Sequence, residues 1–196
     1  GEHTIRSMQY IRADKVLRLT MLLHDVAKPV CRTEDENGIH HFHGHPQVGA
    51  EMSRKILRRL KFDNDTIHRV MALVRAHDDR PPLQGRSVRR AIYRNGTEQY
   101  PELFEVKRAD ILAQSSFLQQ EKLLYVDRYE HMYQQIMEKE QCLSLKELAV
   151  NGSDLIARGI QPGKEIGEIL HQMLEKVLEE PELNEEEVLL AWYFKA

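Results

Sequence analysis

The sequence predicts an all-α protein, and three observations support this prediction. Apolar residues recur every three or four positions through most of the 196 residues, which is the spacing of one helix face. Helix-breaking residues such as Pro29 and Pro181 stand between the periodic stretches rather than within them. The one long stretch without this period, residues 30–45, is rich in turn residues around Asn37-Gly38, which predicts a loop or a weak hairpin.

Most predicted helices have a capping or breaking residue at one end. Pro29 ends the apolar helix over 15–27, and either Asp63 or Asn64 is a natural N-cap for the helix that begins there. The predicted helices cover about 3–12, 15–27, 46–60, 65–77, 86–95, 101–139, 145–150, 153–158 and 163–179, with a last helix capped by Asn184 and ending in Trp192, Tyr193 and Phe194.

A change of pattern near residues 140–144, where long helices give way to shorter ones, predicts a domain boundary. We expect a first domain over 1–140 and a small helical C-terminal subdomain over 141–196. The sequence contains only two cysteines, without paired spacing, which fits a reducing cytoplasm. No apolar run approaches the roughly 18 residues that cross a bilayer. Because the sequence starts without Met in a helical pattern, we expect it to be part of a longer protein.

Charge is distributed unevenly along the chain. Residues 54–108 contain 14 Lys and Arg against 7 Asp and Glu, whereas residues 121–196 contain 8 against 16. The arginine-rich stretch 54–94 could attract a polyanion such as tRNA. It could equally be a solvated face whose cations pair with acidic neighbours, and the sequence leaves both interpretations open.

The dipeptide His24-Asp25 lies in an apolar helical stretch and is followed by Lys28-Pro29. An ionisable pair in a core helix is costly unless something compensates it, and a divalent metal ion does so most economically. Imidazole nitrogen together with carboxylate oxygen suits Mn, Fe, Co, Ni or Zn, and Mg less well. Such an ion lowers the pKa of bound water and polarises a phosphoryl oxygen, which is the chemistry of phosphoester hydrolysis.

His3 and Asp110 are candidates for the remaining metal ligands. His3 lies one helix upstream of His24, and Asp110 lies on a helix face where a carboxylate needs a partner. Taken singly, His3 fits a frayed surface helix, and Asp110 could pair with Arg108 or Arg75. Taken together in their order along the chain, they favour a metal site.

Besides Asp25, which is a candidate for catalysis as well as a metal ligand, three further residues are candidates for catalysis. Among the clustered His40, His41, His43 and His45, we choose His45, because it abuts a helix start where it can reach a phosphate or a second ion. His77 closes a helix, so it either belongs to the site or complements the helix dipole. Lys28 could bind a substrate phosphate, or it could be an ordinary cation at a helix C-terminus.

His3 and the motifs LLHDVAKP, HGHP, VRAHD and KRADIL resemble the HD superfamily of metal-dependent phosphohydrolases over residues 3–125. The resemblance implies a helical bundle in which His3, His24, Asp25 and Asp110 bind the metal. It also implies that His45 and His77 are auxiliary histidines found in some members, and that Lys28 is the usual lysine. Ala27 departs from the Gly of many members.

A closer resemblance extends over almost the entire sequence. HFHGHPQVGAE, RRLKFDN and the segment from ELAVNGSDLIARG to ELNEEE are similar to the HD region and tail of bacterial CCA-adding tRNA nucleotidyltransferases and their poly(A)-polymerase-like relatives. The polymerising head of that family has no counterpart here, so we expect no nucleotide addition by this chain alone.

Three functions remain open at this point. One is a metal-dependent phosphohydrolase acting on phosphate esters of nucleotides or RNA ends. Another is a non-catalytic tRNA-binding body that positions RNA for the absent head, and a third is a purely structural α-domain. The sequence leaves the identity and number of the metal ions, the substrate and the oligomeric state undetermined.

Overall fold

The prediction of an all-α protein is confirmed by the computed structural model, which describes residues 1–139 and 141–195. The helices in chain order are α1 (Glu2–Ser7), α2 (Lys15–Leu23), α3 (His45–Arg59), α4 (Asn64–Ala76), α5 (Gly85–Asn95), α6 (Tyr100–Ala113), α7 (Gln119–Glu138), α8 (Gly152–Ala157), α9 (Lys164–Glu179) and α10 (Glu186–Lys195). Short 3₁₀ helices cover Thr97–Gln99 and Pro181–Leu183. Within the described residues, no helix has both the length and the apolarity to cross a membrane.

The stretch predicted as a loop or weak hairpin forms a two-stranded antiparallel hairpin. Its strands are β1 (Thr33–Glu34) and β2 (His40–His41), with Thr33 opposite His41. Asp35 stabilises the turn, because its Oδ1 accepts hydrogen bonds from the amides of Asn37 (2.9 Å) and Ile39 (3.0 Å).

Helix α2 ends earlier than its apolar pattern predicts. Asp14 caps its start by accepting a hydrogen bond from the Leu17 amide at 3.0 Å. The helix ends at Leu23 rather than residue 27, because the amides of Val26 and Lys28 bond to carbonyls three residues back. The pair His24-Asp25 therefore lies in the turn that follows α2.

Helix α3 packs closely against this turn. A Cβ at Gly49 would lie 3.4 Å from Val74 Cγ1 and 3.7 Å from the His24 carbonyl oxygen. Helix α4 runs beside α3 and is capped by Asp63, one of the two predicted caps: Asp63 Oδ1 accepts a hydrogen bond from the Thr66 amide at 2.8 Å. Gly49 thus lets α3 bring its first turn close to His24.

The prediction of one continuous helix over 101–139 is wrong, because the chain forms two helices there. Gln114 is extended (φ −75°, ψ 178°), and Leu118 has a left-handed φ of 54°. The Gln119 side chain donates to the Ile111 carbonyl at 3.1 Å, which satisfies an acceptor at the end of α6. Apolar spacing on both sides of the break is helical, so the periodicity did not show the break.

Two expectations for the C-terminal region also fail. Residues 145–150 form turns instead of a helix, because the Glu147 carboxylate accepts hydrogen bonds from the Leu143 amide and the Ser144 hydroxyl. Asn184 does not cap α10. Its side chain instead accepts from the Ala149 amide at 2.8 Å and donates to the Glu147 carbonyl at 3.0 Å.

The chain divides into two compact units. The first comprises residues 1–80 and 95–128, and the second comprises 81–94 together with the chain from Tyr129 onward. In the second unit, the buried guanidinium of Arg89 donates to the carbonyls of Leu178 (2.7 Å) and Glu179 (2.9 Å), which satisfies acceptors at the end of α9. The domain boundary at residue 140 stays a prediction.

Candidate metal centre

The four residues predicted as metal ligands converge in the first unit. His3 comes from α1, His24 and Asp25 from the turn after α2, and Asp110 from α6. His3 Nε2 lies 2.9 Å from Asp110 Oδ1 and 3.3 Å from His24 Nε2. His24 Nε2 is 3.4 Å from both Asp25 Oδ2 and Asp110 Oδ1. Residues separated by more than 100 positions thus place ligand atoms around one point.

Two more histidines complete a second group around the same aspartate. His45 begins α3, and His77 directly follows α4. Asp25 Oδ1 lies 3.6 Å from His45 Nε2 and 3.7 Å from His77 Nε2, while its Oδ2 faces His3 and His24. The Asp25 carboxylate therefore lies between two groups of imidazoles, with one oxygen directed to each.

Backbone carbonyls orient three of the imidazoles. The Nδ1 atoms of His24, His45 and His77 lie 2.7, 2.9 and 2.7 Å from the carbonyl oxygens of the residues three positions earlier. A carbonyl can only accept, so each Nδ1 carries a proton, and Nε2 is the ring atom directed to the site, where its lone pair would bind a cation. Metal-binding histidines are commonly oriented by such hydrogen bonds.

The carboxylates of the centre are held ionised. Burial favours the protonated form of Asp25, but interactions with His77, His24 and Lys28 outweigh it and keep its pKa below the usual range. Burial opposes ionisation of Asp110 as well, and the hydrogen bond and charge of His24 lower its pKa. The site therefore presents anionic oxygens at neutral pH.

One oxygen of Asp25 lacks a partner. Oδ2 accepts a hydrogen bond from Lys28 Nζ at 2.8 Å, whereas Oδ1 is buried and has no hydrogen-bond partner among the residues the structure describes. An unpaired buried charged oxygen is costly, and a cation would compensate for it. This oxygen, with its adjacent imidazole nitrogens, fits a first-row divalent ion.

Two supporting residues were missed by the sequence analysis. Gln114 donates to Asp110 Oδ2 at 3.0 Å and accepts a hydrogen bond from Lys122 at 2.8 Å, so it fixes the carboxylate. The buried ammonium of Lys107 donates to the carbonyls of Ala76 (3.3 Å), His77 (2.8 Å) and Asp79 (2.6 Å). The position of Gln114 four residues after Asp110 was the only sequence signal for its role.

A polar cavity of about 410 Å³ opens onto the centre. Lys28, His45, His77 and Asp110 line it, together with residues 40–43 of the hairpin, Arg80 and Gln114. His41 also pairs with Asp35 at 3.0 Å and stacks on His43. Of the four clustered histidines, His45 belongs to the centre, and the other three line the cavity.

A family model supports the second of the two resemblances seen in the sequence, the one to tRNA nucleotidyltransferases. The model described as tRNA nucleotidyltransferase domain 2 matches residues 33–193. This chain belongs to that family. The matched region of this chain includes His45, His77 and Asp110, whereas His3, His24 and Asp25 precede it.

Two relatives are similar over most of the domain. A CC-adding tRNA nucleotidyltransferase of Thermus thermophilus is 33% identical over 180 residues, covering 89% of this chain and 40% of that protein. An A-adding tRNA nucleotidyltransferase of Deinococcus radiodurans is 33% identical over 167 residues, covering 83% of this chain and 38% of that protein. This chain thus spans about two fifths of the length of the curated relatives it matches.

Proposed function

We propose that this tRNA nucleotidyltransferase-related domain is a metal-dependent phosphohydrolase of the HD type, acting on phosphate esters of nucleotides or RNA ends. The observation that carries the proposal is the Asp25 carboxylate. Its two oxygens face two groups of imidazoles, and one of them is buried without a hydrogen-bond partner among the described residues. Such an arrangement is costly in a purely structural helix bundle, whereas a bound cation would compensate for it.

Two cation positions follow from the donor atoms. His3, His24, Asp25 and Asp110 would hold one divalent ion, and Asp25, His45 and His77 would hold a second. The mixture of imidazole nitrogen and carboxylate oxygen favours Mn, Fe, Co, Ni or Zn over Mg. A bound ion of this kind activates water and polarises a phosphoryl oxygen.

The protein's own side chains supply binding and orientation. Lys28 Nζ adjoins Asp25 and lines the polar cavity, where it can neutralise a phosphate oxygen of the substrate. Arg80 lines the same cavity and offers a second cation. Gln114 keeps Asp110 in place, and the carbonyls behind His24, His45 and His77 fix their rings before substrate arrives.

Metal analysis followed by hydrolysis assays tests this proposal. The purified protein is loaded with Mn²⁺ or Co²⁺, dialysed, and assayed on 2′,3′-cyclic nucleotides and nucleoside 3′-phosphates. We expect retained metal and turnover in the wild type, and loss of both in Asp25→Asn and Asp110→Asn. Asp127→Asn is the matched control, because Asp127 pairs with Arg108 at the surface. A wild type that retains no metal, or an Asp25→Asn variant with full turnover, contradicts the proposal.

A second candidate function is tRNA binding. The ion pairs within the arginine-rich stretch 54–94 indicate which of its cations are available to contact the tRNA. Most arginines of residues 54–94 are engaged: Arg54 and Arg75 pair with Glu51, Arg69 with Glu102, Arg80 with Asp78, Arg86 with Glu179 and Arg90 with Glu175. Arg58 and Arg59 are exposed and make no ion pair within the described part of the chain, and neither do Lys55 and Lys61. These four cations at the end of α3 favour contact with a polyanion.

Salt-dependent tRNA binding tests this second function. We expect Arg58→Glu/Arg59→Glu to weaken tRNA binding and to flatten its dependence on salt, because fewer counterions are released. Arg86→Glu/Arg90→Glu is the control with the same change in net charge. Equal losses of tRNA affinity in both double variants would show that only net charge matters. This outcome would contradict the proposal that tRNA binds at α3.

A further inference from the structure

A second cavity, of about 280 Å³, meets the polar cavity at the metal centre. His77, Arg80 and Asp110 line both cavities. The second one is otherwise lined mainly by the side chains of Ile111, Leu118, Tyr125 and Val126, with Lys107, Glu121 and Lys122 as its polar members. A phosphate at the centre would thus have a polar cavity on one side and a largely apolar one on the other.

The size and lining of the apolar cavity favour a compact ring system as its ligand. Its volume lies near the lower limit for small-molecule sites, which leaves room for one bicyclic ring but not for a polymer. Tyr125 offers an aromatic surface, and aromatic side chains commonly stack on bases. Glu121 and Lys122 provide an acceptor and a donor, which a heteroaromatic edge can use and an alkyl chain cannot.

The break between α6 and α7 places one wall of this cavity. Leu118 adopts a left-handed φ of 54°, a conformation that costs free energy for a residue with a branched side chain. Its side chain is half exposed and lines the cavity. Unfavourable backbone conformations of this kind often occur at functional sites, and this supports a role for the Leu118 wall in binding a ligand.

We propose that this cavity binds the nucleobase of a mononucleotide whose phosphate lies at the metal centre. Leu118, Tyr125 and Val126 then determine specificity, because they contact the part of the substrate that distinguishes a nucleotide from other phosphate esters. The inference rests on the proposed function for the position of the phosphate, and it adds recognition of the base.

A comparison of ligands with and without the base tests the inference. Binding of adenosine 3′- and 5′-monophosphate and of ribose 5-phosphate is measured by calorimetry on the Mn²⁺-loaded protein. We expect the better of the two nucleotides to bind at least about tenfold more tightly than ribose 5-phosphate, as loss of one base stack predicts. Leu118→Trp, which fills the cavity, should abolish this preference while leaving ribose 5-phosphate binding within about twofold. Val126→Phe serves as a second cavity-filling variant.

Leu124→Trp is the matched control. Leu124 lies on α7, as Val126 does, and is half exposed like Leu118, but it does not line the cavity. We expect this variant to keep the preference for the base. Equal binding of nucleotides and ribose 5-phosphate by the wild type, or an unchanged preference in both Leu118→Trp and Val126→Phe, overturns the inference.

Adenosine alone separates failure of this inference from failure of the proposed function. If the wild type binds adenosine and Leu118→Trp does not, the cavity recognises the base even in a protein that hydrolyses nothing. If instead the protein hydrolyses p-nitrophenyl phosphate but neither adenosine nor its phosphates are preferred over base-free ligands, the proposed activity stands and the base site is refuted.

Discussion

The Nε2 atoms of His45 and His77 face each other at 3.3 Å, although both rings are held with Nδ1 bonded to a backbone carbonyl. In its neutral form, a ring held in this way has no proton left on Nε2 to donate. Two lone pairs at this distance repel unless a proton or a cation lies between them. Because Asp25 Oδ1 adjoins both nitrogens, this relationship supports the second cation position.

Replacement of His77 should remove one metal ion and leave the other. We expect the wild type to bind two equivalents of Mn²⁺ and His77→Gln to bind one, because the first group does not include His77. Titration calorimetry measures the stoichiometry. His68→Gln is the control, since His68 is exposed on α4, the helix that His77 directly follows. Identical stoichiometry in wild type and His77→Gln would eliminate the second position.

Replacement of Gln114 should weaken metal binding without unfolding the protein. Gln114 orients the Asp110 carboxylate through a hydrogen bond of 3.0 Å. Loss of a partner that orients a ligand typically lowers metal affinity by about 10- to 100-fold, and we expect Gln114→Ala to fall in this range. Competition with a fluorescent chelator measures the affinity. Gln135→Ala, which removes a surface glutamine bonded to His131, should leave the metal affinity unchanged.

Stability should rise with pH because of Lys107. Burial lowers the pKa of this ammonium to about 8 in the folded protein, against 10.5 for the exposed group. Between these two values the unfolded chain binds more protons than the folded one, so unfolding becomes less favourable as pH increases, by up to about 3 kcal/mol. Urea unfolding across this pH range measures the slope. Lys107→Met should be less stable and should lack this component of the slope, and a slope equal to that of wild type would contradict the prediction.

A large side chain at position 49 should force α3 away from the turn that carries His24. A Cβ there already contacts Val74 and Ala27, so Gly49→Leu has no room for its remaining atoms. We expect a loss of about 1–3 kcal/mol in the free energy of unfolding, as for other overpacked cores, together with weaker metal binding. Gly167→Leu is the control, because a Cβ at Gly167 meets nothing within 4 Å. Chemical denaturation and metal titration of both variants provide the measurement.

Helical periodicity predicted most of the helices. It failed where a hydrogen bond to a different segment ends a helix or replaces a predicted cap. Asp63 and Asn64 were recognised as possible caps because capping depends on residues close together in sequence, and Asp63 is the one that caps α4. The break at residues 114–118 was missed, since the apolar spacing on either side remains helical. Asn184 was taken for a cap, although its partners lie at residues 147 and 149 in a different segment.

The sequence likewise predicted part of the candidate site and missed the rest. Order along the chain and residue type were enough to select His3, His24, Asp25 and Asp110, and the structure brings them together. No sequence pattern showed that the two oxygens of Asp25 face different histidine groups, or that Lys107 fixes the end of α4. These relationships depend on how α1, α3, α4 and α6 pack around the turn after α2.

The sequence by itself determined the helical class, most helix boundaries and the kinds of ligand atoms available. These properties depend on the period of apolar residues and on local capping, which act over a few residues of chain. The tertiary structure alone decided the pairing of His45 with His77 across Asp25, the wall that Leu118 forms and the apolar cavity beside the centre. These features depend on packing between segments that are distant in sequence. Such packing sets distances of a few ångström, which local periodicity does not specify.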